Sequence, residues 1–198
     1  YILSFLSVLL INGAILALIG YNKLFDFIQL YTSCLAVILA VFYIREAKII
    51  TMHKAFSKLY NPVRIALVFS FLAGLTVLNK TYINELSAND FWITSAFCIV
   101  AIIYLLSHLF EILNIKKQQY KAAIYALTVL LLLPTVLSPS ISGAILIVLV
   151  SFLVNYKTSL VIGIVAFIYS VSQYYYDLHF TLLTKSILLF SSGILFLL

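Results

Sequence analysis

Charge is scarce in this sequence. Only 9% of the 198 residues are Asp, Glu, Lys or Arg, against about 25% in a soluble domain, which excludes an ordinary water-solvated globule. Cysteine is nearly absent as well, with Cys34 and Cys98 the only two. Both lie in apolar runs without C-x-x-C or zinc spacing, so neither a disulfide framework nor a metal site is expected, and they read as small apolar fillers. No H-E-x-x-H, G-x-S-x-G or phosphate-cradling glycine loop occurs, so no catalytic residue and no cofactor is expected and the chain does not read as an enzyme. No basic stretch or small-residue cleavage site marks a signal peptide. The chain opens at Tyr1 inside an apolar run, and Ile194–Leu198 is equally apolar. Both ends read as cut, and the expectation is a single transmembrane domain over residues 1–198 that is a fragment of a longer protein.

What is present is apolar length. Hydrophobic residues make up 65% of the chain, gathered into runs long enough to cross a bilayer. A helix rises about 1.5 Å per residue, so about 20 apolar residues span a core of about 30 Å. The runs predict an all-α, polytopic transmembrane helix bundle of eight spans: Ile2–Gly20, Leu24–Ile44, Val63–Asn79, Phe91–Leu113, Ala122–Leu137, Ile141–Asn155, Ser159–Tyr175 and Thr181–Leu198. The fifth and sixth flank Ser138-Pro139-Ser140 and are short. They read as two short spans in preference to a hairpin that fails to cross.

Charge asymmetry orients this arrangement. Connections after spans two, four and six hold Arg45, Lys48, Lys54, Lys58 and Arg64, then Lys116, Lys117 and Lys121, then Lys157, whereas the opposite connections hold only Lys23 and Lys80. The positive-inside rule makes the first side cytoplasmic and puts both chain ends there. The net charge of +6 therefore reports topology, and nucleic acid is not expected as a partner. Tyr82, Phe91 and Trp92 fall at an outer boundary, and Tyr43, Tyr60, Tyr120 and Tyr156 at inner ones, as interfacial aromatics do. Between Arg45 and Asn61, apolar residues alternate with lysines. That pattern fits an amphipathic helix on the cytoplasmic leaflet, or a solvated continuation of span two.

Few residues carry chemistry. Lys185 lies about 7 Å inside the last span, and a lysine at a helix centre costs about 2.5–3.5 kcal/mol on insertion scales. It reads as an anchor snorkelling toward Asp177, with a contact to substrate, proton or partner as the sharper alternative. The turn before it, Ser172 to Thr181 with Gln173 and Tyr176, is rich in hydroxyls and reads as an interfacial belt or the lining of a cavity. His108 and Glu111 share a helix face and form a weaker candidate, although no further span supplies a metal ligand set. Asn12, Gln29, Thr32 and Ser33 are mid-membrane polar groups suited to bonding between helices, and Gly13, Ala17 and Gly20 form a small-residue face that admits a close neighbour.

The C-terminal run Tyr175-Tyr176-Asp177-Leu178-His179-Phe180-Thr181-Leu182-Leu183-Thr184-Lys185-Ser186 resembles the Y-Y-x-L-x-x-T-L-L-x-K-S signature of the bacterial multi-pass inner-membrane family called domain of unknown function 4401. The resemblance implies the bacterial inner (cytoplasmic) membrane and a longer parent chain. It draws attention to Tyr176, Leu178, Thr181, Lys185 and Ser186. Members are often encoded beside other membrane proteins, while the family's molecular role is itself unassigned. The expectation is a non-enzymatic membrane subunit or assembly component, partnered by lipid and by other inner-membrane proteins; the alternative is a transporter or channel for a small solute or ion.

Overall fold

A computed structural model describes residues 2–21, 25–46, 54–84, 92–112 and 118–177. Among them are seven α-helices, one short 3₁₀ helix and no strand. They are α1 (Ile2–Tyr21), α2 (Phe25–Ile44), α3 (Lys54–Asn84), α4 (Trp92–Ile112), α5 (Gln118–Leu132), the 3₁₀ helix Leu133–Leu137, α6 (Pro139–Leu153) and α7 (Lys157–Asp177). Five of them, α1, α2, α3, α4 and α7, are long and apolar enough to cross a membrane. Helix is the conformation that satisfies every backbone polar group within its own segment, which hydrocarbon demands.

The first, second, fourth and seventh expected spans match their helices to within two residues at each end. The third does not. Val63 was expected to open it, yet α3 starts at Lys54 and carries Pro62 in its interior. A proline there removes one helical hydrogen bond and marks a boundary in sequence, but packing against α2 carries the helix through it. The second half of the Arg45–Asn61 connection is therefore part of α3, while residues 47–53 lie outside the described residues.

Proline has more effect between α5 and α6. The Pro134 segment is 3₁₀, and Ser138 adopts an extended backbone (φ −135°, ψ 90°) before Pro139 opens α6. Each of α5 and α6 is 15 residues long, about 22 Å. Despite its length α6 is central, burying Ser142, Gly143, Ala144, Leu146, Ile147, Val150 and Ser151. The eighth expected span, Thr181–Leu198, lies outside the described residues.

The core is built by α2, α3, α4 and α6, where Leu39, Tyr43, Phe71, Leu75, Ile102, Leu146 and Ile147 are all at most 2% exposed. Small residues set the spacing. A Cβ at Gly74 would stand 2.7 Å from Cγ2 of Thr32, and one at Gly143 would stand 2.5 Å from Cδ1 of Leu75. These crossings are close because glycine is there. Helix α1 packs against the outside of α3 and α2, and α7 against α6. Tyr31 of α2 donates to Oδ1 of Asn12 in α1 at 2.7 Å, the interhelical bond expected of Asn12. Thr32 instead donates to carbonyls of its own helix.

Contacts fix the direction of the helices. Tyr43, near the end of α2, meets Ser159 near the start of α7. Phe110, late in α4, sets its ring edge-on to Tyr125, early in α5, at 5.1 Å. Gln29 and Phe97, both early in their helices, line one groove between α2 and α4. Thus α2 and α4 run one way, α3, α5 and α7 the other.

Candidate functional site

At the end of the bundle where α2 stops, the chain buries a cation. Arg64 sits on α3 with 2% of its surface exposed. Its Nη1 lies 3.2 Å from both carboxylate oxygens of Glu46, just past α2, and its Nη2 donates to Oδ1 of Asn61 at 2.9 Å. The guanidinium stands 3.5 Å from the ring centroid of Tyr156, 5.1 Å from that of Tyr60 and 5.3 Å from that of Tyr43. A desolvated cation over aromatic faces gains about 2 kcal/mol. The pairing carboxylate answers the larger problem of an uncompensated buried charge.

Each wall of this cage is held from elsewhere. Tyr60 donates its hydroxyl to the Phe42 carbonyl at 2.9 Å and stacks on the Phe42 ring at 4.6 Å. Tyr43 donates to Oγ of Ser159 at 2.8 Å. Tyr156 is delivered by a helix-terminating turn. Asn155 takes φ 55°, the left-handed conformation that Asn tolerates better than most residues. The Tyr156 N–H then donates to the Ser151 carbonyl at 3.0 Å, and the Asn155 N–H to the Phe152 carbonyl at 3.1 Å. This is the bond pair of a Schellman motif. The Tyr156 carbonyl in turn accepts from Leu160 N–H at 3.1 Å, opening α7.

Three of the four tyrosines assigned to the inner boundary, Tyr43, Tyr60 and Tyr156, thus converge on one residue. Arg64, read in sequence as a loop charge, is instead a buried helical one. Glu46 carried no sequence signal beyond its place in a charged stretch. Chemically the cluster is a neutralised lock joining α2, α3 and the α6–α7 turn. Among the described residues no group of three or more His, Cys, Asp or Glu could hold a metal.

The sequence candidates do not converge. Tyr176 is exposed near the end of α7, its ring 6.1 Å from that of Tyr175, and Asp177 closes the helix. Thr181, Lys185 and Ser186 lie outside the described residues. His108, partly buried, and Glu111 sit one turn apart late in α4, toward the Arg64 end. Gln173, late in α7, lines a groove of about 390 Å³ with Thr76, Ser140 and Ser170, toward the opposite end. A second groove, about 510 Å³, runs between α2 and α4 past Gln29 and Ser33. Sequence reasoning had marked these two as interhelical bonding groups, whereas Oγ of Ser33 is buried without a partner.

The architecture defines a helical membrane protein: five apolar helices of spanning length around a core sealed by a neutralised arginine. The chain belongs to the family described as Domain of unknown function (DUF4401), whose profile matches residues 1–198, well beyond the C-terminal signature. No curated protein and no solved structure matches it.

Proposed function

We propose that this chain is a non-enzymatic membrane subunit or assembly component of the bacterial inner membrane, docking to another envelope protein through α1. One observation carries the reading. Helix α1 buries no residue, and Gly13 and Gly20 meet nothing within 4 Å of where a Cβ would stand. The face formed with the exposed Ala17 is thus turned away from the described helices of the bundle. Between helices in lipid, where apolar surface gains nothing by leaving hydrocarbon, close approach of small residues is a principal source of attraction.

The topology that goes with this reading is eight spans with both ends cytoplasmic. Arg45 just past α2, Arg64 early in α3, Lys121 early in α5 and Lys157 at the start of α7 gather at one end of the bundle, which supports a cytoplasmic assignment for it. A transporter would instead need polar groups meeting at one midplane cavity, and His108 and Gln173 lie toward opposite ends.

The test is purification from native membrane in mild detergent, comparing the parent chain with Gly13→Ile. A stoichiometric companion, or a second copy, that is lost in the variant supports the reading. A monomer without a companion refutes it.

A further inference from the structure

Helices α3 and α7 leave between them a groove of about 390 Å³ that is polar at one end and apolar along its body. Thr76 of α3, Ser140 at the start of α6, and Ser170 and Gln173 late in α7 line the polar end. Phe69 of α3 and Val161 and Val165 of α7 line the body, and they are 42%, 58% and 61% exposed. Among the described residues these apolar walls are thus uncovered. Val161, Val165 and Tyr169 recur every fourth residue, the spacing of a ridge that packs against a neighbouring helix.

Position, length and residue order together name the occupant. Helix α7 ends at Asp177, one turn past Gln173, so residues 178–198 leave it at the polar end of the groove. The 18 residues of Thr181–Leu198 would give about 27 Å of helix, enough to follow the groove over the about 18 Å from Gln173 to Val161. Their residue types run in the same order as the walls. Thr181, Thr184, Lys185 and Ser186 come first, then Ile187, Leu188, Leu189 and Phe190.

From this we propose that the groove between α3 and α7 is filled by the chain's own Thr181–Leu198, returning antiparallel to α7. The inference rests on the eight-span topology. A turn over residues 178–180 sets Thr181 opposite Asp177, and the register then brings Lys185 level with Gln173 and Gly193 level with Val165. Gly193 admits the close approach that a helix crossing in lipid favours. Lys185 finds oxygen acceptors in Gln173, Ser170 and Ser140, which answers the cost of a lysine inside hydrocarbon. Thr76 donates to the Ala73 carbonyl at 2.8 Å, and its oxygen keeps lone pairs with which to accept.

Cysteine crosslinking in native membranes tests the packing. In the full chain carrying Cys34→Ala and Cys98→Ala, Gly193→Cys is combined in turn with Val165→Cys and with Leu72→Cys, one on each wall. Lys185→Cys is combined with Gln173→Cys at the polar end. A short bifunctional thiosulfonate should join each pair within one chain, read as a faster-migrating band on a non-reducing gel. Leu183→Cys with Val165→Cys, about 15 Å apart along the axis, should give no such band. Where Gly193→Cys prevents accumulation, Leu189→Cys with Tyr169→Cys takes its place. Separately, Leu198→Cys should react with an impermeant maleimide in inverted vesicles and not in intact spheroplasts, as the topology requires.

Four results would overturn the proposal. A crosslink to Val165→Cys without one to Leu72→Cys puts the segment outside the groove. A crosslink between two chains gives the groove to a second copy. No crosslink at any pair, with Leu198→Cys labelled only in inverted vesicles, removes the packing and leaves the topology standing. Labelling of Leu198→Cys in intact spheroplasts removes both.

Discussion

Arg64 and Tyr156 meet cation to ring at 3.5 Å, although one sits within α3 and the other in the turn between α6 and α7. The contact ties helices far apart in sequence to one charge, and Glu46 makes that charge tolerable in an apolar surround.

Glu46→Gln should therefore destabilise more than an ordinary surface change. Removing one partner of a fully buried pair costs about 3–5 kcal/mol. Because the Glu46 side chain keeps 24% exposure, about 2–3 kcal/mol is expected. Unfolding in detergent measures it, and Glu46→Gln combined with Arg64→Met should recover most of the loss. Additive losses in the double variant would show that the two residues act independently.

The ring of Tyr156 matters, and its hydroxyl does not. Tyr156→Phe should leave the unfolding midpoint nearly unchanged, whereas Tyr156→Leu should lose about 1–2 kcal/mol with the cation–π contact. Equal losses would assign the effect to the hydroxyl.

Asn155 is the strained position of the turn. Asn155→Gly should stabilise by about 0.5–1 kcal/mol, because glycine adopts the left-handed conformation without a Cβ penalty. Asn155→Val should destabilise by about 1–2 kcal/mol. Thermal unfolding of the two variants side by side decides the point.

Glycines at crossings and on the outer face should behave oppositely. Gly143→Ala brings a Cβ 2.5 Å from Leu75 and 3.1 Å from Phe71, and overpacking of this kind costs about 1–3 kcal/mol. Gly13→Ala meets nothing and should leave the stability of the isolated chain unchanged. A Gly143→Ala protein as stable as its parent would show that α3 and α6 separate easily.

Much of the fold was legible because hydropathy over about 20 residues is a one-dimensional quantity, and lipid makes it decisive. The interfacial set Tyr43, Tyr60 and Tyr156 was legible too, as three residues at one depth. That they surround Arg64 was not, because depth says nothing of position around the bundle. Pro62 misplaced the start of α3, and Arg64, at the edge of the expected span, was counted with the connection because its burial depends on partners that sequence does not show. Glu46 was invisible for a similar reason, since its value lies in a partner on another helix. The grooves were half legible: Gln29, Ser33 and Gln173 stood out as polar groups in apolar runs, but which helices they face is a product of packing. Sequence attention to Lys185, Thr181 and Ser186 rests on residues outside those described.

The two halves of the arginine lock are made at different times. The ribosome delivers Glu46 and Arg64 with α2 and α3, long before Asn155 and Tyr156 emerge. The early hairpin thus carries both partners of the ion pair, and the later turn adds the Tyr156 ring beside it. A chain ending after α4 would hold Glu46, Tyr43 and Tyr60 around Arg64 but lack the Tyr156 ring, the nearest of the three.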